Sequence, residues 1–227
     1  MPKLKIHLLK HFLPNTRLLI LGPLDISSQR LKKNIKRLAP TLIIMLDGGT
    51  RHKINLNKKN QALAISVGDG DSSLISPLDF ILPVKKDFSD LEFVVDCILK
   101  KKKNFQHISC MGLFSHELKE ERMDHLLLNL GVIQKISKTL SIKIVMDERF
   151  LFLPAGKSSF SYQGLFSAIS LTQNLLKISG KADYRLKEWT KIKALSSTGL
   201  SNQSSGKVHI ESMKPIVIYF AGTNFNS

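Results

Sequence analysis

Hydrophobic and polar positions are arranged in two different ways along this chain. Up to about residue 140, short unbroken apolar strings are separated by longer amphipathic stretches. Residues 17–23, 41–46, 61–67, 80–84 and 105–111 read as buried strands, several of them stopping at Gly or Asp-Gly. Between them, residues 27–38 place Leu31, Ile35 and Leu38 at helical spacing. Residues 90–99 read as a helix with Ser89 as its N-cap, and residues 123–140 as a long helix. Strands alternating with helices predict a mostly parallel sheet covered on both faces, an α/β/α domain. From about residue 141 the strings shorten. Residues 142–146, 149–153, 158–162, 166–171, 207–210 and 216–220 read as strands separated by Gly and Ser clusters. That pattern predicts a smaller antiparallel β domain, a β-sandwich. The expected division is 1–140 and 141–227.

Composition narrows the picture. Of 227 residues, 43% are apolar and 23% charged, enough for a packed core and too apolar for wholesale disorder. Lys and Arg number 34 against 18 Asp and Glu, a net charge of +16 that favours anionic partners without choosing among them. No apolar run approaches the roughly 18 residues of a membrane-spanning helix. Lys10 and His11 interrupt the apolar positions near the N-terminus, so no secretory signal and no membrane partner are expected. The two cysteines, Cys97 and Cys110, form no CxxC pair; a cytoplasmic, reducing location is the expectation.

Acidic residues collect where the first-domain strands end. Asp47 follows the second strand, Asp69 and Asp71 the third, and Asp87 and Asp90 stand just before a helix. Ligands of open α/β sheets bind outside the carboxyl ends of the strands. Several carboxylates at one such edge repel one another unless a cation sits among them. Hard oxygen donors suit Mg²⁺, which takes one or two carboxylates and leaves its other positions to water and substrate phosphates. The chemistry expected is metal-assisted handling of a phosphorylated substrate. An Asp after a strand also serves as a turn former or helix cap, the competing reading for each residue alone.

Three look-alikes are set aside. Gly156-Lys157-Ser158 ends like a phosphate-binding P-loop, but Leu151 stands where that loop needs Gly. The stretch 68–73 lacks the third Gly of a dinucleotide loop. It also lacks the Gly and Glu of a calcium loop, with Leu74 and Phe80 in those places. The lysine run 100–103 reads as a solvated helix end, with no aromatic platform for nucleic acid. No specific nucleic-acid partner is expected.

Asp47-Gly48-Gly49, the stretch Val67-Gly68-Asp69-Gly70-Asp71-Ser72 and Lys86-Asp87-Phe88-Ser89-Asp90 together resemble the thiamine pyrophosphokinase family in order and spacing. Arg122-Met123-Asp124-His125, the stretch 180–186 and Ser197-Thr198-Gly199-Leu200-Ser201-Asn202 extend the resemblance over nearly the whole chain. It implies a homodimer that transfers pyrophosphate from ATP to the hydroxyl of thiamine, giving thiamine diphosphate and AMP. It implies that Asp69, Asp71 and Asp90 hold Mg²⁺ and the ATP phosphates. Asp47, Gly48, Gly49 and Asp87 would meet the nucleotide. Arg122 and Asp124 would line the junction between phosphates and thiamine, and Ser201 and Asn202 would touch thiamine. Asp124 or Asp87 is the candidate proton acceptor for the hydroxyl.

Other functions stay open on the sequence. A related pyrophosphokinase could use another acceptor, such as a hydroxymethyl pterin, and a decayed relative could only bind nucleotide. Glu117, Glu120 and Glu121 precede Arg122; they read either as an acidic first helical turn or as groups that attract a cationic acceptor. Trp189, in a Lys-rich segment, reads as a core or surface residue rather than a ligand contact.

Overall fold

The computed structural model describes residues 2–56, 62–74, 77–101, 105–114, 122–222 and 225–226. The segment carrying Glu117, Glu120 and Glu121 lies outside the described residues. The chain divides into two compact units, Met1–Val132 and Ile133–Ser227.

In the first unit the strands β1 (Thr16–Leu21), β2 (Leu42–Leu46), β3 (Leu63–Gly68), β4 (Phe80–Ile81) and β5 (Phe105–Met111) are all parallel, in the order β5-β1-β2-β3-β4. The continuous strings Leu18-Leu19-Ile20-Leu21 and Leu42-Ile43-Ile44-Met45-Leu46 explain why β1 and β2 are central, because such strands need cover on both faces. One face, with Leu19, Leu21, Ile43 and Met45, packs with Leu31 and Ile35 of α2 (Ser28–Leu38). The alternate residues Leu18, Ile20, Leu42 and Ile44 point the other way and are equally buried. The expected fourth strand, 80–84, shortens to two residues; Pro83 has no N–H to continue it.

Caps fix the helices. Ser27 accepts a hydrogen bond from Arg30 N, and Ala39 closes α2 in the left-handed region with its N–H on Ile35 O. Helix α3 (Asp90–Lys101) starts with a reciprocal pair: Ser89 N donates to Glu92 Oε2 at 3.0 Å, and Glu92 N to Ser89 Oγ at 3.1 Å. The N-terminal stretch forms a helix that the sequence reading did not anticipate, α1 (Pro2–Leu9), tied to α3 by the Lys5–Asp96 ion pair at 2.8 Å. Both cysteines are buried, Cys97 in α3 and Cys110 in β5; burial pushes the Cys97 thiol up to about 11.

Helix α4 (Met123–Leu140) has the bounds read from the sequence, and the division of the chain falls within it. The second unit is antiparallel. Strands β6 (Ile144–Met146), β7 (Phe150–Leu153), β8 (Gly156–Ile169), β9 (Asn174–Ala182), β10 (Leu186–Ile192), β11 (Asn202–Ser212) and β12 (Ile216–Phe220) run in the order β10-β9-β11-β8-β12-β7-β6, and β13 (Phe225–Asn226) pairs with β8. Their inward residues form one cluster, with Phe160, Phe166, Ile178, Val208 and Phe220 among its members. The two expected strands 158–162 and 166–171 are one, because Gly164 continues β8 at φ +133° opposite Ser204. Strands β9 and β10 were not expected; Lys, Ser and Gly on their outward positions hide the alternation. Trp189, half-buried on β10, carries the Lys177 ammonium 5.0 Å above its ring.

Candidate active site

The carboxyl ends of the parallel strands open into a cavity of about 530 Å³. Pro23 and Leu24 follow β1, Asp47 and Gly48 follow β2, Asp69 follows β3, and Gly112 and Leu113 follow β5; all line it. Lys86, Phe88, Ser89 and Asp90 enter from the approach to α3, and Arg122, His125 and Asn129 from the start of α4. Close backbone packing builds this edge. A Cβ on Gly22 would lie 2.4 Å from Gly112 O, and one on Gly49 2.3 Å from Leu21 O.

Asp47 is buried at the end of β2. Its Oδ1 accepts from Gly70 N at 2.9 Å, and its Oδ2 from Ser72 N at 3.0 Å and Ser72 Oγ at 2.5 Å. The parallel register Leu46↔Val67 sets Asp47 beside Gly68, where a Cβ would approach the Asp47 Cβ to 2.6 Å. Asp47 thus holds the loop that carries Asp69 and Asp71. Asp47, Asp69 and Asp90 each offer a carboxylate oxygen, and the three oxygens lie within 4.8 Å of one another, the one such group of His, Cys, Asp and Glu among the described residues.

Lys86 stands among these acids. Its ammonium pairs with Asp69 Oδ2 and lies 3.2 Å from Asp90 Oδ1; only 9% of its side chain is exposed. Burial alone lowers an ammonium pKa, but the two carboxylates outweigh it and hold Lys86 above its ordinary value. Asp69 answers in kind: burial raises it, and the Lys86 hydrogen bond and charge bring it below the usual range. Asp90 goes the other way, raised by burial despite Lys86. Its buried Oδ1 has no well-formed hydrogen bond, only the nearby ammonium charge. Asp71 is exposed at the rim, and its pKa is raised by the carboxylates of Asp47 and Asp69. Three close carboxylates with one buried oxygen lacking a proper donor are a donor set that fits a hard divalent cation.

Three solved structures share this architecture along nearly their whole length. A thiamine pyrophosphokinase from Bacillus subtilis is 20% identical, with a TM-score of 0.66 over 89% of this chain and 97% of that one. One from Geobacillus thermodenitrificans is 17% identical, with a TM-score of 0.65 over 91% and 98%. One from Candida albicans is 14% identical, with a TM-score of 0.65 over 91% and 92%. The chain has the fold of thiamine pyrophosphokinases. No protein-family model matches it, and no curated protein matches it by sequence.

The remaining sequence candidates fall in different places. Gly48 lines the cavity, and Gly49 packs behind it on Leu21. Arg122 lines the cavity and pairs with Asp124 at 2.5 Å; that pair is exposed, and Arg122 holds the Asp124 carboxyl below its usual range. Asp124 and Asp87 are both exposed and lie outside the cavity lining. Ser201 and Asn202 belong to the second unit. Ser201 is exposed at φ +51°, whereas Asn202 is buried and its amide clamps the Tyr184 backbone, accepting from Tyr184 N at 3.0 Å and donating to Tyr184 O at 2.7 Å. Sequence reasoning gave no role to Lys86, Ser72 or His52. Lys86 sits in a Lys-Lys doublet, where nothing in the sequence distinguishes one lysine from the other. His52, buried on Leu24 O at 3.0 Å, supports the cavity wall from behind and carries no sequence signal of its own.

Proposed function

We propose that the protein is a thiamine diphosphokinase, which moves the pyrophosphate unit of ATP onto the hydroxyl of thiamine and releases AMP. The observation that carries this reading is the Asp47–Asp69–Asp90 cluster at the carboxyl edge of a thiamine pyrophosphokinase fold. These residues, with Asp71 at the rim, would hold Mg²⁺. Bound there, the ion supplies neutralisation of charge on the phosphate oxygens. The chain's own part is positioning, which accounts for roughly 7–11 kcal/mol of barrier lowering in well-oriented reactions. Gly48 admits the nucleotide close to the backbone. Arg122 would face the phosphates from the start of α4, and it is paired with Asp124 at the exposed edge of the cavity. Asp124 or Asp87 takes the hydroxyl proton. Ser201 would touch thiamine, whereas Asn202 is buried with its amide engaged by the Tyr184 backbone. The reading includes a division into a nucleotide-binding α/β domain and a β-sandwich domain, a homodimer, and a cytoplasmic location; among the described residues no helix is long and apolar enough to cross a membrane.

Incubation with ATP, Mg²⁺ and thiamine tests the reading. Thiamine diphosphate and AMP in equal amounts are expected, and Asp90→Asn should lower turnover about a hundredfold, near 3 kcal/mol of transition-state stabilisation. ADP as the nucleotide product, or no turnover, overturns it.

A further inference from the structure

The Lys86 ammonium occupies the position that a cation shared by Asp69 and Asp90 would take. We propose that it is an internal stand-in for the divalent ion: it neutralises the acidic edge until metal enters, then leaves the carboxylates for the phosphate oxygens of the incoming nucleotide. The inference rests on the metal–nucleotide reading of this cavity given above.

Three observations converge on it. First, the pairing is with two of the three clustered acids and, among the described residues, with no others: Asp69 Oδ2 directly and Asp90 Oδ1 at 3.2 Å. The third, Asp47, already receives hydrogen bonds from Gly70 and Ser72 on both oxygens. Without Lys86, Asp69 and Asp90 would be neighbouring carboxylates with oxygens within 4.8 Å of each other and lose their shared positive charge. Second, Mg²⁺ stands about 2 Å from its oxygens. An ion and an ammonium on the same two carboxylates would be pressed together, so one displaces the other. Third, Lys86 can leave. It precedes α3, whose first residue is Asp90, so no helical turn fixes the pair. Its flexible stem lines the same cavity as Gly48, Ser72 and Arg122, the space in which phosphates would lie. An arginine would bind a carboxylate in two places and hold on; a lysine is a single point charge that trades partners readily.

The test uses the full chain. In the wild type, brief acylation with acetic anhydride, read by mass spectrometry, should label Lys86 slowly beside its exposed neighbour Lys85. Mg²⁺ alone should raise labelling of Lys86 severalfold, and Mg²⁺ with ATP should suppress it again. In Lys86→Met, Mn²⁺ binding read by electron paramagnetic resonance should tighten about tenfold, because the metal no longer competes with a resident cation. The metal-free melting temperature should fall, and Mg²⁺ should restore it by more than it raises the wild type. Unchanged labelling with Mg²⁺, or Mn²⁺ binding no tighter in Lys86→Met while the wild type binds it, overturns the stand-in and leaves the metal reading standing. If Mn²⁺ binds neither protein, the metal reading falls and takes this inference with it. The labelling experiment needs no variant, so it decides the matter even if Lys86→Met does not fold.

Discussion

Asp47 performs two tasks with one carboxylate. Its three hydrogen bonds tie the 68–72 loop to the end of β2, and one of its oxygens still stands in the acidic cluster. Acids after strands were visible in the sequence at Asp47, Asp69, Asp71 and Asp90. Which three converge was not, because that depends on the parallel register and on Gly68, not on spacing along the chain. Lys86 was illegible for a similar reason: only the folded approach to α3 shows that one lysine of a doublet points inward. Burial pushes His52 below the ordinary imidazole value of 6.5 despite its bond to Leu24 O, and burial with the charge of Arg37 does the same to His107. The unfolded chain therefore takes up these protons first. Their stabilisation is complete above pH 6.5 and is lost as pH falls through that value toward the lowered folded one. The melting temperature should drop between about pH 7.5 and pH 5.5, and less steeply in a His52→Asn, His107→Gln double variant.

Among the elements, legibility followed the strength of the apolar pattern. β1, β2 and α4 carry long, regular strings and were read nearly to the residue. The segment after β2 reads as a turn at Asp-Gly-Gly, yet it continues as a 3-10 helix, Asp47–Asn55, because Gly48 and Gly49 let the chain pass against Pro23 and Leu21. β9 and β10 escaped because a half-exposed strand with Lys on its outward positions looks like a loop. Two glycines separate packing from propensity. Gly68→Ala should cost about 1–3 kcal/mol, because the new methyl meets the Asp47 side chain. Gly131→Ala should add about 0.5–1 kcal/mol, because Gly131 lies inside α4 with nothing within 4 Å of the new Cβ. Urea unfolding of both variants checks the opposite signs.

At the scale of the molecule, the sequence shows two patterns of hydrophobicity, and the structure shows parallel strands in one unit and antiparallel strands in the other. What patterning does not carry is assembly. The function proposed above brings a homodimer with it as part of the proposal, and on that proposal light scattering at micromolar concentration should return twice the 25.5 kDa of one chain. A monomer with full turnover would remove the second subunit from the catalytic account.

The two cysteines have a use outside the chemistry of the site. Cys97 on α3 and Cys110 on β5 are both buried in the core of the first unit, and the Cys97 thiol at about 11 is almost entirely protonated at neutral pH. Alkylating reagents act on the thiolate and need access to it. The folded chain is thus closed to them, and each modified sulfur records one passage of that core through an open form. The protein carries its own clock of unfolding, readable by mass in a crude mixture without a ligand, a dye or an assay of activity.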